Sequence, residues 1–365
     1  MVMQQQVLLL ASIDDAHAGA VAWALGRNGV DSVWSPSLRF DRGSRLTLLA
    51  DSDGVRAHAA QVDLGKFSTV WHRSPESPGA EGCAQEDRDF VLKQWSYFQK
   101  NAFELAGGFI DALWVNRPAA AEAAESKWLQ LQAAHAVGLR FPEAVASNDV
   151  AEVRKLLKRC GKLVFKQFYS YVWQSRATGD IRGSGVALLD ENADLPDAAI
   201  AVCPGIYQRY IDKAFDIRVT VIGDRMFAVR LSQQAGGAYV DWRQHIRDDD
   251  MRMEWITLPA ATEAPLRALM TRLGLVVGCI DLVVDHDGQV FFLEVNQQGQ
   301  FLFLEQSLPD LPLLQAMTSL LLTGRSDYAI DASAELHFAD YLQTDHYRQL
   351  LTAPRVPNPS FVYEA

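Results

Sequence analysis

The chain has 365 residues, and since single hydrophobic cores stop growing near ~250–300 residues, two or three subdomains with their own cores are expected. Apolar residues make up 49% and charged residues 22%, which excludes a disordered or fibrous chain. The formal net charge of −11 argues against sequence-independent nucleic-acid binding, where clustered Lys and Arg supply the affinity, but leaves room for local basic pockets.

Cys83, Cys160, Cys203 and Cys279 are widely scattered, form no C-x-x-C pair, and read as buried or free thiols in a reducing compartment. The opening "MVMQQQVLLLASIDD" carries a short apolar run without a basic segment before it, so it reads as a first strand and not as a signal peptide. No stretch approaches the ~20 apolar residues of a membrane span. A cytoplasmic protein with neither a membrane nor a nucleic-acid partner is expected.

In chain order, "VLLLASIDDAHAGAVAWALGRNGVDSVWSPS" reads strand, loop, helix, strand, the start of an α/β layer. It contains no G-x-G-x-x-G, which removes the usual dinucleotide fingerprint. "STVWHRS" is a further strand, followed by a Pro/Gly-rich loop, and residues 86–113 hold one or two packed helices. "WVNRP" closes a first subdomain near Pro118. A long helix then runs to Gly138, and "RFPEAVASND" is a short strand and turn.

"VAEVRKLLKRCG" is an amphipathic helix and "KLVFKQF" a strand carrying Lys166, with a polar, glycine-containing loop "QSRATGDIRGSG" after it. From Gly205 the pattern gives strand "GIYQRYI", strand "DIRVTVIG", a turn, strand "MFAVRLS", a charged loop around "VDWRQHIRDDDMRME" and a helix near Ala264–Leu273. Two apolar runs and a last helix ending at Gly324 complete that unit. Residues beyond Arg325 read as partly helical, then irregular, with no role assigned.

The two apolar runs hold the chemistry. "GCIDLVVDHDG" and "FFLEVNQQGQ" are β-branched and apolar, yet carry Asp281, Glu294 and Asn296. Asp287-Gly288 is the dipeptide favoured by a two-residue type I′ hairpin, and that loop pairs His286 with Gln289 and Asp281 with Glu294. Asn296 shares their face because side chains alternate along a strand. Opposed carboxylates repel unless a positive charge sits between them, and Mg²⁺ held by two carboxylates plus phosphate oxygens answers that need. The register survives a two-residue change of loop but not a one-residue slip.

Lys166, flanked by apolar residues, suits phosphates once a metal site lies downstream, although a lone strand lysine often only snorkels to solvent. Lys127 is the weaker of the two signals, since a helix lysine is commonly solvated. In "AFDIRVTVIG", Arg218 sits inside an apolar strand and shares a face with Asp216 and Thr220, so it should be paired or aimed at an anion. Arg230 on the next strand is expected beside it, the two arginines neutralising a phosphoryl group in transfer. The segment from Ile206 to Lys213 offers backbone groups for a purine edge.

The ordered set of Lys127, "LVFKQF", "YQRYIDK", "DIRVTVIG", "VDWR", "CIDLVV" and "FFLEVNQQGQ" closely resembles the ATP-grasp ligases, and within them the microviridin-type peptide maturases, or graspetide synthetases. The resemblance covers roughly residues 70–322. It implies an N-terminal α/β domain (1–117), then two α+β subdomains (118–204 and 205–325) clasping ATP, with an extension (326–365) of unassigned role.

It also implies roles. Lys127 and Lys166 would contact phosphates, and Gln208, Arg209, Tyr210 and Ile211, with Leu293, would line the adenine pocket. Lys213 and Asp216 would approach the ribose. Asp281, Glu294 and Asn296 would hold Mg²⁺, and Arg218 and Arg230 would be the catalytic arginines near an acyl phosphate. A ribosomal precursor peptide, leader plus acidic core, is the implied partner of a homodimer. A ligase for free amino acids or for a protein tail stays open as a rival, as does a non-catalytic nucleotide-binding regulatory module. The sequence departs from the family in having Gln297 where Pro is usual, Phe301 where Trp is usual, and Gln208 where many relatives have Glu.

Overall fold

The structure, a computed structural model, describes residues 7–30, 32–34, 45–59, 62–63, 67–74, 79–80, 82–109, 112–169, 172–183, 185–193, 195–233, 239–246, 250–330, 336–352 and 361–363. The first unit contains β1 (Val7–Ala11), α1 (Ala16–Arg27), β2 (Ser32–Trp34), the small antiparallel group β3 (Leu46–Asp51), β4 (Gly54–Ala59) and β5 (Val62–Asp63), then β6 (Thr69–Ser74), α2 (Arg88–Phe109) and β7 (Leu113–Val115). Strands β2-β1-β6-β7 form a parallel sheet. All five residues of β1 are buried, as a parallel strand covered on both faces requires. Helix α1 starts where Asp15 accepts hydrogen bonds from the backbone N–H groups of His17 and Ala18, at 2.8 and 3.0 Å.

The single long helix expected before Gly138 is two helices, α3 (Pro118–Ala124) and α4 (Lys127–Ala136). Ser126 breaks them, because its hydroxyl accepts the N–H of Leu129 and so caps a new helix. Lys127 therefore stands at the first position of α4 and not within a continuous helix.

The central unit comprises β8 (Ala144–Ser147), α5 (Val150–Cys160), β9 (Leu163–Lys166), β10 (Val172–Ser175), β11 (Ile181–Gly183), β12 (Ala187–Leu189), α6 (Asp197–Val202) and β13 (Gly205–Arg209). Sheet β12-β9-β13-β8 is antiparallel, and α5 buries Val153, Leu156 and Leu157 against it at helical spacing. The polar loop after Lys166 contains the hairpin β10–β11.

The third unit is an antiparallel sheet ordered β16-β15-β14-β17-β18, from β14 (Lys213–Ile222), β15 (Arg225–Gln233), β16 (Met251–Ile256), β17 (Val277–Asp285) and β18 (Val290–Asn296). Strand β16 forms at the end of what reads in sequence as a charged loop. Between β16 and β17 lies α7 (Ala260–Leu273). It packs with α4 on one face of the sheet, over Ile217, Val219, Leu282, Phe292 and Val295. The opposite face divides in two. Ile222, Val229, Leu231 and Cys279 pack towards α8 (Leu302–Ser307) and α9 (Leu313–Thr323), whereas Asp216, Asp281 and Glu294 lie at a cleft facing the central sheet.

Beyond Arg325, α10 (Phe338–Tyr341) and α11 (Asp345–Thr352) cover α1, with Tyr341 fully buried against Trp23 and its hydroxyl 2.9 Å from His346 Nδ1. Last in the chain, β19 (Phe361–Tyr363) pairs in parallel with β10.

Candidate active site

The hairpin of β17 and β18 differs from the simplest reading of its sequence, yet reaches the same end. Its loop is His286–Gly288, not Asp287-Gly288 alone: Asp285 N–H donates to Gln289 O at 3.1 Å, and Gly288 takes φ +78. Val284 then pairs with Val290 and Leu282 with Phe292, one residue out of step with the two-residue turn. A β-bulge at Leu293 absorbs the difference, so Asp281 faces Glu294 and Cys279 faces Asn296. All three oxygen-bearing side chains thus share one face.

The cleft encloses about 770 Å³ between the central and third sheets. From the central sheet come Val164, Lys166 and Gln208; Lys166 Nζ donates to Gln208 Oε1 at 2.9 Å. Burial draws the Lys166 ammonium below its usual pKa, with Glu294 opposing the shift. Arg209, Tyr210 and Ile211 leave β13 along the rim, with the Arg209 guanidinium 5.7 Å from the Phe291 ring centre. Lys213 Nζ lies 2.7 Å from Asp216 and donates to Val240 O at 3.0 Å, above the Tyr239 ring. Leu293 joins Ile211, Val283 and Phe291 in an apolar floor.

At the other end the carboxylates are wrapped in cations. Asp281 receives Arg218 Nη1 at 2.7 Å on one oxygen and Arg243 Nη2 on the other. Glu294 receives Arg243 Nη2 at 2.8 Å on one oxygen and Lys127 Nζ on the other. Burial alone would raise the Glu294 pKa, but Lys127, Arg243 and Lys166 outweigh it and hold the carboxyl at about 2. Asn296 is exposed at the mouth, its Oδ1 accepting from Gln298 N–H at 3.0 Å. Among the described residues no cluster of three or more His, Cys, Asp or Glu side chains could hold a metal. What the cleft presents is two carboxylates and a carboxamide, a hard-oxygen set that suits Mg²⁺ sharing its shell with phosphates.

Two expected catalytic arginines stand elsewhere. Arg230 pairs across the ladder with Ile217, and Arg218 with Val229. Paired residues share a face, so Arg230 projects to the side opposite Arg218, with its guanidinium 4.1 Å from the Phe215 ring centre. It is not part of the cleft. Arg218 lies on the correct face but behind Asp281, buried, and donates to Gln300 O at 3.2 Å. It supports a cleft carboxylate and does not line the cleft itself.

Sequence reasoning gave Arg243 no place at the carboxylates. It lies in the short helical turn Trp242–Gln244 within an irregular segment, where periodicity carries no signal; only the "DWR" tripeptide marks it. Gln130 was also missed. Its amide donates to Val295 O at 2.8 Å and accepts Val295 N–H at 2.9 Å, tying α4 to β18 beside Glu294.

The loop after β18 is held from the first unit. Arg73, paired with Asp15 at 2.8 Å, donates to Gln298 O and Gly299 O, both at 3.4 Å. His17 Nε2 accepts the N–H groups of Phe301 and Leu302 at 3.0 and 3.1 Å, and its ring meets Phe301 edge-on. The Asn116 amide accepts from Val276 and Val277 N–H and donates to Val277 O and Gln297 O. Gln297 donates its amide to Glu125 at 2.8 Å. Gly299 is required here by contact: a Cβ would stand 2.7 Å from Cys279 Cβ and 2.8 Å from Arg218 Nη2.

Neither a protein-family model nor a curated protein sequence matches the chain. Solved structures do. An ATP-grasp ligase associated with ribosomal peptides from Chryseobacterium gregarium, in complex with ADP and a leader and core peptide, superposes with a TM-score of 0.77 at 20% identity, over 90% of this chain and 99% of that one. The macrocyclase MdnC of Microcystis aeruginosa MRC, bound with precursor peptide MdnA, gives 0.73 at 22% identity, over 87% and 99%. The ATP-grasp ligase PsnB, complexed with minimal precursor, gives 0.70 at 19% identity, over 88% and 99%. The chain has the fold that these ATP-grasp ligases share.

Proposed function

We propose that the protein is an ATP- and Mg²⁺-dependent ligase that activates a carboxylate as an acyl phosphate and joins it to an amine or hydroxyl within a ribosomal precursor peptide. The observation that carries this reading is the meeting in one cleft of Lys127, Lys166, Asp281 and Glu294, brought from a helix and two sheets distant in sequence. The shared fold supports it, and so do the peptides named in the complexes of the similar structures.

In this reading the nucleotide base lies over Leu293, Ile211 and Val283, beside Gln208–Ile211, with Lys213 and Asp216 towards the ribose. Lys166 and Lys127 meet the phosphates as point charges, their positions fixed by Gln208 and by the cap of α4. Asp281, Glu294 and Asn296 would hold magnesium, which draws charge off the transferring phosphoryl group. A substrate carboxylate oxygen bonds to the γ-phosphorus as the bond to the ADP oxygen breaks. An amine or hydroxyl of the same peptide then bonds to the acyl carbon, phosphate leaves, and the attacking atom gives up its proton. The net change is one water lost from the peptide per ATP hydrolysed to ADP and phosphate. No enzyme nucleophile takes part.

The test is to incubate the purified protein with ATP, Mg²⁺ and, as candidate substrates, leader-bearing peptides whose cores are rich in Ser, Thr, Lys, Asp and Glu, and to follow peptide mass and ADP together. Loss of one water per ADP supports the reading. ADP formed only with free amino acids would make it a ligase of another substrate class, and nucleotide binding without turnover under any acceptor would make it a regulatory module.

A further inference from the structure

We propose that Arg243 holds the place of the divalent cation in the nucleotide-free protein and must withdraw before the cation binds. This rests on the metal-nucleotide reading above and adds a step to it. Each carboxylate turns one oxygen to a fixed cation, Asp281 to Arg218 and Glu294 to Lys127. The remaining two oxygens converge on a single nitrogen, Arg243 Nη2. That nitrogen satisfies the repulsion that a bridging metal would otherwise satisfy, and two positive groups cannot share the same pair of oxygens.

Of the three cations, Arg243 is the one built to leave. Its side chain is 42% exposed, against 32% for Lys127 and 4% for Arg218. Lys127 is anchored at the start of a ten-residue helix and Arg218 in the middle of a sheet, whereas Arg243 sits in a single three-residue helical turn, Trp242–Gln244, in an irregular segment. It also has somewhere to go. Asp241 lies 3.4 Å away on the same turn, and the Trp242 ring lies 5.3 Å from its guanidinium carbon, so partners on its own segment keep the charge company after withdrawal. Metal loading and the position of the Trp242–Gln244 turn are thereby coupled.

Competition of this kind weakens the apparent affinity for the cation by the population of the arginine-occupied state. The probe is Mn²⁺, with free ion counted by electron spin resonance, on the full chain without nucleotide and then with ADP. Arg243→Gln is expected to bind Mn²⁺ about tenfold more tightly than wild type without nucleotide, equivalent to ~1.4 kcal/mol. Arg243→Lys should lie nearer wild type, and adding Glu294→Gln to Arg243→Gln should abolish the gain. Equal Mn²⁺ affinity in wild type and Arg243→Gln, with Mn²⁺·ADP still bound by both, overturns the gating role alone. Failure of wild type to bind Mn²⁺ even with ADP overturns the metal-site reading and this inference together. Melting curves identify a variant that has lost its fold, and Arg243→Lys then supplies the comparison.

Discussion

Arg218 Nη1 stands 2.7 Å from Asp281 Oδ1 on adjacent strands, both side chains almost fully buried. Burial disfavours the guanidinium charge, and Asp281 more than offsets this, holding the Arg218 pKa above its usual value. A pair of this kind is costly to break from one side, because the abandoned charge stays in a low-dielectric place. Arg218→Ala is therefore expected to lower stability by ~3–5 kcal/mol in urea unfolding and to raise the Mg²⁺ concentration needed for half-maximal turnover. A stable Arg218→Ala protein with normal Mg²⁺ dependence and a reduced kcat would instead make it a direct partner of the reacting phosphoryl group.

Glu294→Gln keeps the side-chain volume while removing a carboxylate that Lys127 and Arg243 both use. Turnover should fall below detection with the fold intact. The sign of the pH effect follows from the depressed pKa. Stability from this carboxylate is complete above 4.5 and is lost as pH falls from there towards about 2. The Gln variant should lose less stability than wild type across that window, and identical acid-unfolding curves would contradict the assignment.

His17 titrates in the opposite sense to a histidine gaining an anion. Burial, aided by Arg73, holds its pKa at about 3 against an ordinary 6.5, and its Nε2 must stay unprotonated to accept two backbone N–H groups. The unfolded chain takes up this proton below 6.5 while the folded chain does not, so stability present above 6.5 drains away as pH falls towards 3. His17→Leu should be less stable than wild type at pH 8, by ~1–3 kcal/mol for each abandoned donor. Between pH 8 and 5 it should lose ~2 kcal/mol less than wild type. Urea titrations at the two pH values measure both.

Lys166→Met retains the apolar stem and removes only the charge. Nucleotide affinity by calorimetry should drop at least about tenfold, or ~1.4 kcal/mol, with a melting temperature close to wild type. Unchanged affinity together with a large fall in melting temperature would mark Lys166 as a structural lysine.

What could be read in advance was whatever broke a strong pattern. Carboxylates in the apolar runs of β17 and β18 announced themselves, and so did Lys166 in β9. Arg230 was misplaced because alternation within a strand fixes relative faces only; the face of β15 is set by the two-residue turn Gly223-Asp224, which puts Ile222 opposite Arg225 and so Ile217, not Arg218, opposite Arg230. Arg243 was passed over because its role depends on a fold of the chain that returns an irregular segment to a distant hairpin. The split between α3 and α4 was legible in Ser126 and was overridden by a long alanine-rich run. The small sheet β3–β4–β5 gave no reading at all.

The extra residue at Leu293 also means that odd and even positions exchange roles along β18. Towards the tip Phe291 looks into the cleft and Phe292 into the packed core, while past the bulge it is Glu294 that looks into the cleft and Val295 into the core. Deleting Leu293 alone would straighten the strand and set Glu294 directly after Phe292, still opposite Asp281, with Val295 still in the core. Adding one residue between Leu293 and Glu294 would instead shift the carboxylate by one position, opposite Ile280, and send it towards the core under α4 and α7 while turning Val295 outward. A site that survives the loss of Leu293 but not the gain of one residue beside it is the genetic signature this hairpin should leave.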